Sequence, residues 1–83
     1  MRVTVRLFAR LRDLAGGADW PCEAPDGASV ADIWRLMTSA HPALEPFGRG
    51  ISCAVNAEFA RMHATVHDGD EVAFLPPVSG GSR

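Results

Sequence analysis

Residues 29–40 read Ser-Val-Ala-Asp-Ile-Trp-Arg-Leu-Met-Thr-Ser-Ala, and this stretch decides the fold. The apolar residues that recur here at intervals of three and four are Val30, Ile33, Trp34 and Met37. That spacing predicts a helix over roughly residues 30–40 with one buried face. Ser29 is a favourable N-cap, and Asp32 three residues later completes a capping box. His41-Pro42 then ends the helix.

Short strands are predicted on both sides of this helix in the sequence. They are residues 2–8, 18–24, 51–56, a short strand near 62–66, and 71–75. In the first strand Val3, Val5 and Leu7 share one face, and Phe8 lies on the opposite face. Pro21 indicates that the second strand lies at an edge of the sheet, because proline cannot donate a ladder hydrogen bond.

The connections complete the predicted topology. Residues 9–15 favour a short helical turn that Gly16-Gly17 ends, and residues 43–50 are predicted to be a loop. The order predicts an α+β domain with a mixed sheet of four to five strands and one main helix packed across it. Central parallel first and last strands would require a crossover through the helix, which is the β-grasp, or ubiquitin-like, arrangement. The pattern alone leaves this arrangement as one of several candidates. We assign residues 1–75 to this domain and 76–83 to a flexible C-terminal tail.

Composition excludes several functional classes. A formal net charge of −2 argues against a general nucleic-acid binder, and no apolar run approaches the roughly 20 residues of a membrane span. We therefore expect a cytoplasmic protein with neither nucleic acid nor membrane as a partner. Cys22 and Cys53 are too few for a four-cysteine zinc site, and the predicted strand order separates them too far for a disulfide. All eight basic residues are arginines, so no lysine amine is available for a Schiff base.

No side-chain pattern typical of a catalytic site is present. None of the serines lies in a Gly-x-Ser-x-Gly sequence. His63 and His67 are four residues apart, but no third ligand accompanies them, so two solvated histidines are a better interpretation than a metal site. We expect no metal site and no stably bound cofactor.

The C-terminal segment Pro76-Pro77-Val78-Ser79-Gly80-Gly81-Ser82-Arg83 has a different character. Its two prolines stiffen the exit from the last strand, and its two glycines lack a Cβ atom. Fully extended, residues 76–81 reach about 20 Å. The segment is either a frayed terminus or a narrow tip that carries its terminal carboxylate into a partner's channel.

Four segments resemble the small subunit of molybdopterin synthase, a sulfur carrier. They are Val5–Gly16, Ala54-Val55-Asn56, Asp68-Gly69-Asp70-Glu71 and, most specifically, the ending Glu71–Gly81. The related thiamine sulfur carrier shares the fold and the Gly-Gly end, but it is usually shorter and lacks Pro-Pro-Val.

This resemblance implies a mechanism centred on Gly81. A partner ATP-dependent enzyme adenylates the Gly81 carboxylate, a persulfide sulfur donor converts it to a thiocarboxylate, and the tail donates that sulfur to a cyclic pterin in the large subunit. The family ends at Gly-Gly, whereas this chain continues to Ser82-Arg83. Either a peptidase cuts after Gly81 or the two residues are an extension that does not belong to the family's carrier, and removal of Ser82-Arg83 is our working hypothesis.

The resemblance also implies a surface for both partners. Phe8 and Leu75 are predicted to lie side by side on the outer face of the sheet, beside the tail, and Arg12 is a candidate for pairing with an acidic residue of a partner. Other functions remain open at this point. They are a sulfur carrier for thiamine, cysteine or tRNA thiolation, a ubiquitin-like protein modifier, and an interaction domain with an inert tail.

Overall fold

The computed structural model describes residues 1–77, which form a five-stranded mixed sheet with a helix across one face. The elements are β1 (Arg2–Leu7), α1 (Ala9–Ala15), β2 (Asp19–Glu23), α2 (Val30–Ala40), a 3₁₀ helix (Pro42–Phe47), β3 (Ser52–Val55), β4 (Glu58–Ala60) and β5 (Glu71–Leu75). The strand order is β2-β1-β5-β3-β4, with β1 and β5 parallel and the other pairs antiparallel. The predicted α+β, β-grasp fold with its central parallel pair is confirmed.

Helix α2 begins as its sequence predicts. The Ser29 hydroxyl accepts a hydrogen bond from the Asp32 N–H at 3.2 Å, and the Asp32 carboxylate accepts one from the Ser29 N–H at 2.9 Å. The bond from the Ser29 backbone, followed by the neighbouring Arg35 guanidinium, lowers the pKa of Asp32 below its ordinary value. The reciprocal capping box satisfies two N–H groups that would otherwise lack partners, and thereby fixes where α2 starts.

The core lies between α2 and the inner face of the sheet. The four apolar residues predicted for the buried face of α2 are all buried. They meet the alternating residues of the two central strands, Val3, Val5 and Leu7 from β1 and Val72 and Phe74 from β5. The rings of Trp34 and Phe74 pack at a tilt with their centroids 5.0 Å apart. This contact fixes the crossover helix onto the strand from which the tail leaves.

Two local predictions are wrong. Residues 43–50 are not simply a loop, because Pro42 starts a 3₁₀ helix whose Leu44 is fully buried. The strand predicted near 62–66 is β4 at 58–60 instead, and Thr65 makes only an isolated bridge to Ser29.

No helix among residues 1–77 is long and apolar enough to cross a membrane.

Candidate functional site

The tail leaves from the middle of the sheet. Strand β5 lies between β1 and β3, and its last residue, Leu75, pairs with Ser52. Pro76 is half-buried and Pro77 is exposed. Neither proline has an N–H to donate, so the hydrogen-bonded ladder with β3 ends at Leu75. The remaining predicted tail residues, Val78, Ser79, Gly80 and Gly81, lie outside the described residues.

An apolar patch covers the outer face of the sheet beside this exit. It consists of Phe8, Ala54, Phe59, Ala73 and Leu75, and we call it the docking patch. The sheet register pairs Ala73 with Ala54 and Ala54 with Phe59. None of the five belongs to the inner core cluster. Ala54 and Ala73 are buried at the base of the patch and Leu75 is half-buried, whereas the exposed fractions of Phe8 and Phe59 are 39% and 81%. The patch is therefore a second apolar surface, on the face opposite α2.

The structure brings Phe8 and Leu75 together, as the sequence predicts. Leu7 pairs with Phe74 in the parallel β1–β5 ladder. The residues that follow them, Phe8 after β1 and Leu75 on β5, therefore lie opposite each other. The Phe8 N–H also donates to the Phe74 carbonyl at 3.3 Å. Their placement side by side on the outer face agrees with the expectation, and their role in binding a partner stays a prediction.

Phe59 is the residue that sequence reasoning missed. It lies on β4, two residues after a tight turn at Asn56 and Ala57, whose φ angles are +51° and +72°. Asparagine in a two-residue turn indicates a hairpin, but the usual following glycine is replaced here by alanine, which weakens the signal. With β4 placed at 58–60, the most exposed large apolar side chain in the described chain joins the patch.

The hairpin that carries Phe59 is held by Asn56. Its side-chain amide donates to Asp70 at 2.9 Å, and its side-chain carbonyl accepts from the Glu71 N–H at 2.9 Å. Asp70 also accepts from the His67 N–H at 2.8 Å. The bond from Asn56, followed by the bond from His67, lowers the pKa of Asp70 below its ordinary value. One carboxylate thus joins the β3–β4 turn to the start of β5.

Asp70→Asn should lower the free energy of unfolding by about 1 kcal/mol at pH 7. The variant loses the charged acceptor of the hydrogen bonds from Asn56 and His67. The loss is no larger because solvent screens the charge at this partly exposed site. Since the pKa of Asp70 is lower in the folded state, its contribution is complete above the ordinary aspartate range near 4 and is lost as the pH falls through the folded value. Urea unfolding from pH 7 to pH 2 should therefore show the two proteins converging in acid. A gap that stays constant over this range would contradict this role of Asp70.

Arg6 borders the docking patch and forms ion pairs with two carboxylates of this chain. It donates to Asp19 at 3.1 Å and to Glu71 at 3.3 Å, and its guanidinium carbon lies 5.7 Å from the centre of the Phe8 ring. The hydrogen bond to Glu71, together with the charge of Asp19, raises the pKa of Arg6. This arrangement supports the exposed Phe8 ring through a cation–π contact and gives the patch a polar edge.

Arg12 lies apart from these sheet residues. It is on α1, its side chain is exposed, and its guanidinium lies 3.7 Å from the Asp13 carboxylate. Its carbonyl accepts the N–H of Gly16, which ends α1 in the left-handed conformation that favours glycine. The expectation that Arg12 binds an acidic partner residue stays a prediction.

Other reactive side chains form no site in the part of the chain described. Cys22 and Cys53 are free and buried on strands separated by β1 and β5, and burial raises the pKa of both thiols. A raised thiol pKa disfavours the nucleophilic thiolate. No group of three or more His, Cys, Asp or Glu side chains among residues 1–77 is arranged to hold a metal ion.

Comparison with known proteins gives consistent results. The sequence pattern of the ThiS family matches residues 5–81. The molybdopterin synthase sulfur carrier subunit of Chlamydomonas reinhardtii is 39% identical over 83 residues, covering 98% of this chain and 100% of the relative.

Two solved structures show the same fold. SAMP1 from Haloferax volcanii has a TM-score of 0.87 at 35% identity, with 98% of this chain and 100% of that chain covered. A chain of the Amycolatopsis orientalis BexX/CysO complex has a TM-score of 0.70 at 33% identity, with 95% and 99% covered. The resemblance noted in the sequence is confirmed over nearly the whole length of the protein, from β1 to the glycine pair, and the chain belongs to the ThiS family.

Proposed function

We propose that this chain is the sulfur carrier subunit of molybdopterin synthase, with Gly81 as the residue that carries sulfur. The observation that supports this most directly is the position of Pro76 and Pro77, which we call the tail root. The tail leaves from the central strand β5 immediately beside the docking patch. A partner bound to that patch would have the C-terminal segment directed toward its own active site.

The chemistry required of this chain is limited to its terminal carboxylate. A carboxylate is a poor electrophile because its charge is delocalised and it has no good leaving group. An ATP-dependent adenylating enzyme converts it to an acyl-adenylate and releases pyrophosphate. The outer sulfur of a persulfide donor attacks the acyl carbon and AMP leaves, which gives an acyl disulfide. A second thiol of the donor system then attacks the donor's own sulfur in that disulfide, so that the thiocarboxylate leaves and a disulfide remains on the donor side. Once a thiocarboxylate has formed, the large subunit binds the tail and a cyclic pterin precursor receives the sulfur. The acids, bases and anion-binding groups for each step come from the partners.

The partner test is association followed by turnover. The large subunit and the adenylating enzyme from the same genome should each bind the chain, and the three proteins with ATP, a persulfide donor and the cyclic pterin should yield molybdopterin. Reactions without ATP are the control. The proposal would be rejected if the chain bound neither protein stably. It would also be rejected if molybdopterin formed at the same rate without this chain.

A protein-modifying role is the second candidate, and the similarity to SAMP1 favours it. The small archaeal modifier protein 1 of Haloferax volcanii is also 37% identical over 84 residues. In that role the adenylated Gly81 would acylate a lysine of another protein. This chain contains no lysine, so it could not form lysine-linked chains of itself. Recovery of covalent adducts from cells, in place of a complex with the large subunit, would favour this role.

A further inference from the structure

The second proline of the tail root lies directly against Gly50. A Cβ atom at Gly50 would lie 3.5 Å from Cβ and 3.8 Å from Cγ of Pro77. Continuing the β3–β5 register by two positions beyond the Leu75–Ser52 pair also places these two residues opposite each other. Contact is thus maintained past the end of the ladder by packing alone, because Pro77 has no N–H to donate.

The segment that provides Gly50 is fixed to the core. A Cβ atom at Gly48 would lie 3.1 Å from the Trp34 indole nitrogen, so the backbone of this loop passes close against that ring. Trp34 in turn packs on Phe74 of β5. Residues 48–50, which we call the exit loop, therefore contact the tail root on one side and, through Trp34, the strand that precedes it on the other.

We propose that the exit loop fixes the direction in which the tail leaves the sheet, and that Gly50 is a positioning residue for Gly81. This inference rests on the proposed function of Gly81. Pro77 lies four residues before Gly81, so a side chain at Gly50 that moves the Pro77 ring also moves the point from which the segment carrying Gly81 starts. Misplacement by about 1 Å can cost about two orders of magnitude in the rate of a reaction that depends on placement. A side chain at Gly50 would thus act on the loading step while leaving the docking patch untouched.

Gly50→Asn and Gly27→Asn form a matched pair for the test. Both glycines have left-handed φ angles, +79° and +85°, and asparagine tolerates that region. A Cβ atom at Gly27 meets nothing within 4 Å, whereas a Cβ atom at Gly50 is already in van der Waals contact with the Pro77 ring, so the atoms beyond it find no free space on that side. Any strain common to the two turns is therefore cancelled in the comparison.

The first readout is NMR of the full chain. We expect nuclear Overhauser contacts between the Gly50 Hα atoms and the Pro77 ring in the wild type and in Gly27→Asn. In Gly50→Asn we expect these contacts to be weakened and the chemical shifts of the Pro77 ring to change. Absence of these contacts in the wild type would overturn the proposal, whatever the function of the tail.

The second readout is sulfur loading of copies that end at Gly81. Gly50→Asn should lower the turnover of loading roughly tenfold without weakening binding to the adenylating enzyme, and Gly27→Asn should stay within about twofold of wild type. Equal loading of both variants would overturn the positioning role. Failure of the wild type itself to load would reject the proposed function, while the NMR comparison would still decide whether the exit loop holds the tail root.

Discussion

A copy of this chain that ends at Gly81 should gain one sulfur atom on incubation with its adenylating enzyme, ATP and a persulfide donor, whereas the chain that retains Ser82 and Arg83 should gain none. The physical reason is the position of the carboxylate. Two further residues move it about 7 Å beyond the place that Gly81 occupies and add two side chains that a channel shaped for glycine must exclude. Intact-mass measurement distinguishes the products, because one oxygen is replaced by sulfur.

A copy that ends at Ser79 is the control for this experiment. Its body, residues 1–75, is unchanged, but its carboxylate lies about 7 Å short of the required position, so it should also remain unloaded while binding the enzyme. In cells, the mature protein should end at Gly81. Sulfur found on protein that still carries Arg83 would contradict the assignment of Gly81 as the working end.

Leu75→Glu should weaken binding to the large subunit by at least tenfold, with the fold retained. Leu75 lies at the centre of the tail exit, beside Phe8 and opposite Ser52, and a carboxylate there would have to be desolvated against an apolar partner surface. The backbone pairing does not depend on this side chain, and its half-buried position lies on the outer face. Titration calorimetry gives the affinity, and urea unfolding verifies that the free energy of unfolding is close to that of wild type.

Leu36→Glu is the matched control for Leu75→Glu. Leu36 is an exposed leucine on α2, with an exposed fraction of 39%, and it lies outside the docking patch. The same chemical change there should leave the affinity unaltered. Phe59→Asp should behave like Leu75→Glu, because Phe59 belongs to the patch. Equal affinities for Leu75→Glu and Leu36→Glu would remove Leu75 from the interface.

The elements with strong local signals could be predicted from the sequence. Helix α2 has both an apolar face and a capping box, and β1 has clear alternation, so their bounds and buried faces follow from spacing alone. The central parallel pair then follows from topology. The 3₁₀ helix could not be predicted in this way, because Pro46 lies inside it and what favours it is burial of Leu44, a tertiary effect.

The site was only partly predictable, because some of its contacts depend on tertiary packing and not on local sequence signals. Phe8 and Leu75 become neighbours once β1 and β5 are paired, and alternation states which face each occupies. Phe59 required the bounds of β4, a three-residue strand after an Asn-Ala turn. The contacts of Gly50 with Pro77 and of Gly48 with Trp34 join residues distant in sequence, and no local pattern contains them.

The place of β5 between two neighbours has a mechanical consequence. A force applied to the tail along the strand axis is carried by the ladders with β1 and β3 at the same time, so their hydrogen bonds are loaded together in shear and none can open first. An edge strand pulled sideways would instead peel away bond by bond. A protein that pulls on the C-terminal end should therefore move the whole domain without unfolding it. The unfolding rate under tension should be far lower when the force is applied to the tail than when it is applied to the edge strand β4.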